Sequence, residues 1–94
     1  MKDQKLRRLD VMVQLVKKEN QRQLKKWGAQ DRSPFEWLCF MGEEVGEVNK
    51  AIAEHHYREG PAMDIVEEAI HVSTLALKLA EMYWVKDTPL EEFL

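Results

Sequence analysis

Gly28 and the pair Gly60-Pro61 cut this chain into three long segments, and each carries apolar residues at helical spacing. In the first segment Leu6, Leu9, Val13, Val16 and Leu24 recur near the helical period, with Asn20 interrupting them. The spacing predicts a helix from about Asp3 to Lys26, ended by Gly28. Lys17, Lys18, Arg22, Lys25 and Lys26 crowd its C-terminal part, which suits the helix dipole. The second segment has an explicit start. Ser33 can serve as N-cap, Pro34 fits the first turn, and Glu36 completes a capping box. This helix is expected to reach about His56. Phe35, Leu38, Cys39, Met41, Val45, Val48, Ala51 and Ile52 give it a broad apolar face, and Gly42 and Gly46 leave a flat strip for close approach. A third helix is expected from about Ala62 to Trp84, along Ile65, Ala69, Val72, Leu75, Ala76, Leu79 and Met82. Thr88-Pro89-Leu90-Glu91 repeats the capping pattern and predicts a short fourth helix ending near Leu94.

No stretch reads as a strand or a repeat. The expectation is one all-α domain over residues 1–94: a helical bundle of three long helices and a short C-terminal one. A core of 94 residues is marginal alone, so completion by homo-oligomerisation, as a dimer or tetramer, is expected. One cysteine, Cys39, excludes an intrachain disulfide and a cysteine zinc cluster. No run approaches the roughly 20 apolar residues of a membrane helix, and Met-Lys-Asp-Gln-Lys-Leu lacks the apolar core of a signal peptide. A cytoplasmic protein without a membrane partner is expected.

The net charge of −3 hides an asymmetry: residues 1–32 hold ten Lys/Arg against four Asp/Glu, and residues 33–94 four against thirteen. A basic helix beside acidic ones is the simplest account. A functional account has the acidic residues hold a cation and the basic ones an anionic substrate. A nucleic-acid polymer is disfavoured, because the chain is acidic overall and the basic residues are spread around the first helix.

Two acidic clusters carry the chemistry. Glu43-Glu44-Val45-Gly46-Glu47 contains an ExxE, and Glu67-Glu68-Ala69-Ile70-His71 an ExxH. Residues three or four apart share a helix face, so each cluster points several ligand-type groups one way. If the two helices pack antiparallel, the clusters meet. Crowded carboxylates repel and resist burial, and a divalent cation such as Mg²⁺ or Mn²⁺ relieves both problems.

These residues resemble the MazG-like, all-α nucleoside triphosphate pyrophosphohydrolases, a family related to the dimeric dUTPases. Their pattern is EExxE followed, after a variable gap, by ExxD. The first half stands intact at Glu43–Glu47 and the second as Glu68-Ala69-Ile70-His71. The run Trp27-Gly28 … Asp31-Arg32-Ser33-Pro34-Phe35-Glu36-Trp37-Leu38 is similar to the family's lead into its first acidic helix. The likeness covers about residues 20–82. It implies an oligomeric bundle that needs Mg²⁺ and cleaves a nucleoside triphosphate into monophosphate and pyrophosphate. It further implies that Glu44, Glu47 and Glu68 are metal ligands and that Glu43 is another ligand or orients the attacking water. Loop position offers Lys25 and Arg32 for the triphosphate tail and Trp27 for stacking on a base.

His71 stands where the family has aspartate. Mg²⁺ seldom takes nitrogen, so three readings stay open. In the first, His71 ligates a softer ion such as Mn²⁺. In the second, it acts as donor or base near the phosphates while Asp64 or Glu67 supplies the missing carboxylate. In the third, the chain is a weakened relative that serves as a helical binding module. A different class, the carboxylate-bridged di-iron or di-manganese bundle, also combines lone glutamates with Glu-x-x-His. Ordinary roles are expected for several neighbours: Glu43 and Glu54 facing water, His55 and His56 at a helix end, and Trp37, Trp84, Cys39, Met12, Met41, Met63 and Met82 in packing.

Overall fold

The computed structural model of the chain describes residues 8–28 and 32–84. Among them it is all-helical and holds no strand. The helices are α1 (Leu9–Trp27), α2 (Pro34–Arg58) and α3 (Ala62–Tyr83). The expected first turns near Asp3, with Leu6, and the expected fourth helix over 88–94 lie outside the described residues. No helix of the described part is long and apolar enough to cross a membrane.

The boundaries follow from local chemistry. Gly28 ends α1 at φ 72°, and its N–H donates to the Leu24 carbonyl. A side chain at that φ would be strained, so glycine fits the stop. The capping box that opens α2 is complete. The Glu36 N–H donates to Ser33 Oγ at 3.2 Å, and the Ser33 N–H donates to Glu36 Oε1 at 3.1 Å. At the far end Glu59 turns left-handed (φ 58°), and the Gly60 N–H donates to the Glu54 carbonyl at 2.9 Å. Gly60 lies so close to that last turn that a Cβ would sit 3.1 Å from Glu54 Cβ. His55 Nδ1 donates to the Gly60 carbonyl at 2.7 Å and secures the turn.

α3 is the central element. It packs along α2 and, less extensively, along α1, while α1 and α2 barely touch. The contacts fix the directions. Lys78 lies over Trp37 and His71 beside Glu44, so α2 and α3 run antiparallel. Glu19 faces His71 and Gln23 meets Lys78, so α1 runs parallel to α3. The deepest residues are Thr74, at 1% exposure, with Leu75, Ala51 and Trp37. The Thr74 hydroxyl donates to the Ile70 carbonyl at 2.8 Å, so its burial leaves no orphaned donor.

The orientation of the stripes differs from expectation. On α1, Leu9, Val13 and Leu24 are exposed, and the inward side is Met12, Leu15, Val16, Glu19, Asn20 and Gln23. The first half of that side is apolar and the second half polar. On α2 the broad apolar face divides. Trp37, Met41, Glu44, Val48 and Ala51 turn towards α3, and Phe35, Leu38, Val45 and Ile52 remain exposed, Phe35 at 78%. Cys39 is exposed as well, so it is not a core residue. Met63, Met82 and Trp84 are largely exposed, whereas Met12 and Met41 are half-buried. Glu54 is half-buried and paired with Arg58 at 3.0 Å instead of simply facing water. Gly42 and Gly46 face open space.

Candidate functional site

The two acidic motifs meet. Glu44 from α2 and Glu68 and His71 from α3 each offer a ligand atom, and all three atoms lie within 4.8 Å of one another. His71 Nδ1 is 3.3 Å from Glu68 Oε2 and 3.4 Å from Glu44 Oε2. The antiparallel hairpin brings this about: a one-turn spacing on α3 places Glu68 and His71 on one face, and Glu44 reaches across to them. All three side chains are half-buried.

The electrostatics suit a cation. Glu44 Oε2 is shielded from solvent and accepts no hydrogen bond. Burial, and then the neighbouring Glu68 carboxyl, push the Glu44 pKa above the ordinary carboxylate range, and only His71 pulls it back. A divalent ion would supply the positive charge this arrangement lacks. The donor set of two carboxylates and one imidazole fits Mn²⁺ better than Mg²⁺, which prefers an all-oxygen shell.

The structure does not gather every residue of the two motifs. Glu43 and Glu47 are exposed and outside this cluster; Glu47 follows one helical turn after Glu44. Asp64 and Glu67 are exposed and do not join it either. The third carboxylate near His71 is Glu19 of α1, whose Oε1 lies 3.8 Å from His71 Nε2. Glu19 is 8% exposed. Its hydrogen bonds from Arg22 hold its carboxyl below the ordinary range against the opposing effect of burial.

A cavity of about 700 Å³ opens beside the cluster, between α1 and α2 with α3 as its floor. That volume lies in the ordinary range for small-molecule sites. Glu44 and His71 form one part of its wall, and Trp27, Trp37 and Phe40 give it aromatic surface. Arg22, Arg32 and Lys78 add cationic groups. Of the residues chosen for substrate, Trp27 and Arg32 line the cavity and Lys25 does not. Trp27 carries two cations on its ring, Lys26 at 4.7 Å and Arg22 at 5.7 Å, and Arg32 lies 4.7 Å over Phe40.

Sequence reasoning missed Glu19, Lys78 and the cavity side of Trp37. Trp37 packs as expected and also walls the cavity. Lys78 donates to Gln23 Oε1 at 2.6 Å, the polar tie between α3 and α1, and burial pulls its pKa down. The polar half of the α1 inward side, Glu19-Asn20-Gln23, was the available signal, because an amphipathic helix seldom interrupts its stripe without a polar partner opposite.

Comparison of the chain with descriptions of known families, with curated proteins and with solved structures gives no match.

Proposed function

We propose that this chain is a metal-dependent nucleoside triphosphate pyrophosphohydrolase of the MazG-like kind, releasing a nucleoside monophosphate and pyrophosphate. One observation carries the reading. Ligand groups from two consecutive helices, Glu44, Glu68 and His71, converge at the wall of a cavity that also offers aromatic rings and cations. A triphosphate needs both halves: a cation for its oxygens and an apolar surface for its base. A di-iron bundle needs only the first half, so the cavity favours the nucleotide.

Glu44, Glu68 and His71 would hold the ion, with Glu47 following one turn after Glu44. Bound there, a divalent cation neutralises charge that builds on the phosphate oxygens. The chain's own groups do the rest. A carboxylate of the cluster would orient the attacking water towards the α-phosphorus, a role that the exposed position of Glu43 does not favour for Glu43 itself. Arg32 and Arg22 offer positive charge to the tail, and Trp27 and Trp37 offer ring surface to the base. Such a substrate suits a cytoplasmic enzyme. The test is pyrophosphate release from a panel of ribo- and deoxyribonucleoside triphosphates, with Mg²⁺, with Mn²⁺ and with chelator. Release that requires metal is expected, with Mn²⁺ at least as effective as Mg²⁺. Silence across the panel rejects the reading and leaves the carboxylate-bridged di-iron or di-manganese bundle and the helical binding module.

The exposed α2 stripe of Phe35, Leu38, Val45 and Ile52 supports a second copy of the chain as partner. Its residues fall three and then seven apart along α2, so they share one face of the helix, as the residues of a helix-to-helix seam do. The described chain buries only three apolar residues well, which is little for a free-standing domain. A solution mass of at least twice 11.1 kDa is expected, falling to the single-chain mass in a Leu38→Glu, Ile52→Lys double variant. A wild-type chain that runs as a monomer at micromolar concentration refutes this.

A further inference from the structure

Glu19 is the one charged residue buried among the described residues, and the acidic motifs give it no role. A buried carboxylate persists only when it is bonded. Arg22 Nε donates to its Oε1 at 2.8 Å, and Arg22 Nη2 and Gln23 Nε2 donate to its Oε2, each at 2.7 Å. Gln23 in turn accepts from Lys78 at 2.6 Å, so the carboxylate is braced from both α1 and α3. Oε2 accepts two of these bonds and Oε1 only one. Oε1 is the oxygen that lies 3.8 Å from His71 Nε2.

The other ring nitrogen faces the opposite way. His71 Nδ1 hydrogen-bonds Glu68 Oε2 at 3.3 Å and lies 3.4 Å from Glu44 Oε2, so a cation taken up between these carboxylates would replace the Nδ1 proton. A neutral imidazole carries one proton, so a cation on Nδ1 requires that proton on Nε2. Ligating histidines almost always give the second N–H to a carboxylate or carbonyl, which fixes tautomer and ring orientation. Glu19 Oε1 is the carboxylate oxygen that faces Nε2. The 3.8 Å separation is longer than a hydrogen bond, and contacts of this kind are often long before the ligand arrives.

We propose that Glu19 is a positioning residue. It takes the Nε2–H of His71 and so presents Nδ1 to the divalent cation shared with Glu44 and Glu68. The inference rests on the metal-dependent reading above and deepens it. The cation centre then draws on all three helices, and a residue outside the acidic motifs tunes it.

The test uses Mn²⁺ alone as probe, with the free ion followed by electron paramagnetic resonance. The full-length wild type is compared with Glu19→Ala and Glu19→Gln. A second measurement reads the ¹⁵N signals of the His71 ring in the Zn²⁺-loaded protein, at a pH where imidazoles are neutral. His55 is an internal reference, since its Nδ1 must donate to the Gly60 carbonyl. The wild-type His71 is expected to show a metal-bound Nδ1 and a protonated Nε2. Glu19→Ala is expected to bind Mn²⁺ about 10–100-fold more weakly and to lose the single tautomer. Glu19→Gln, whose amide oxygen can still accept, is expected to recover most of the affinity and the tautomer. Unchanged Mn²⁺ affinity in a folded Glu19→Ala overturns the proposal and leaves the metal-dependent reading intact. A wild-type ring with the metal on Nε2 overturns it without any variant. A wild type that binds no Mn²⁺ removes the metal-dependent reading itself, and the role of Glu19 with it.

Discussion

Glu44→Gln is expected to lower metal-dependent pyrophosphate release by about 10²–10³-fold while raising the melting temperature of the metal-free protein at neutral pH. Both effects have one origin. Burial and the Glu68 carboxyl raise the Glu44 pKa, so the fold disfavours the ionised form that a cation would require. The sign follows from linkage. A carboxyl whose folded pKa lies above its unfolded one adds stability below the unfolded value of about 4.3, and that contribution fades as pH rises through the folded pKa. At neutral pH the wild type has lost it. Glutamine is never ionised, so the variant escapes the penalty there, and the difference between the two closes as pH falls below the carboxylate range. The Glu44 side chain is 32% exposed, so solvent screening holds the gain below about 1 kcal/mol, or about 2–5 °C in a domain this small. Glu19 has the opposite dependence, because Arg22 lowers its pKa and its contribution is lost on acidification. Wild type and variant share that term, so their difference isolates Glu44. Thermal melts with chelator at neutral pH and near pH 4 read it directly. A variant that melts below the wild type at neutral pH would contradict the assignment.

Trp37→Ala is expected to cost about 3–5 kcal/mol, a large part of what a domain of this size has to lose. Trp37 is 7% exposed, meets Phe40 edge-on at 6.3 Å between ring centres, and lies under the Lys78 ammonium at 5.7 Å. Removing the indole opens a void between α2 and α3 and takes away a wall of the cavity. Trp37→Phe separates bulk from hydrogen bonding. The indole Nε1 is buried without a partner, so its loss orphans no acceptor, and the smaller ring is expected to cost no more than about 1.5 kcal/mol. Urea denaturation should therefore place Trp37→Phe near the wild type and Trp37→Ala far below it. Equal midpoints for the two variants would mean that the indole nitrogen, not the ring, matters.

The helix ends were legible in the sequence because their causes are local. The Ser33–Glu36 box, the left-handed Gly28 and the Gly60-Pro61 break each act within a few residues, and the observed boundaries of α2 and α3 fall within two residues of the expected ones. The meeting of the two acidic motifs was legible for a related reason: helical spacing fixes which residues share a face, and a short turn returns α3 along α2. What the sequence left undecided was which face of each helix turns inward. Two apolar stripes run along α2 one residue apart, and periodicity alone does not say which one α3 covers. On α1 the expected apolar stripe splits: Leu9, Val13 and Leu24 stay exposed, while Val16 turns inward with the side that carries Glu19 and Gln23 and faces α3. Only packing makes that favourable, because Arg22 and Gln23 satisfy the Glu19 carboxylate and Lys78 satisfies Gln23 across the helix pair. The sequence by itself determined three helices and the facing of the two acidic motifs; the structure narrowed the expected set of Glu44, Glu47, Glu68 and His71 to a cluster of Glu44, Glu68 and His71. The tertiary structure decided that α1 joins them, that Glu19 is the third carboxylate beside His71, and that a cavity with Trp37 and Lys78 lies alongside. Burial and long-range hydrogen bonds set those features, and neither is a property of any single helix.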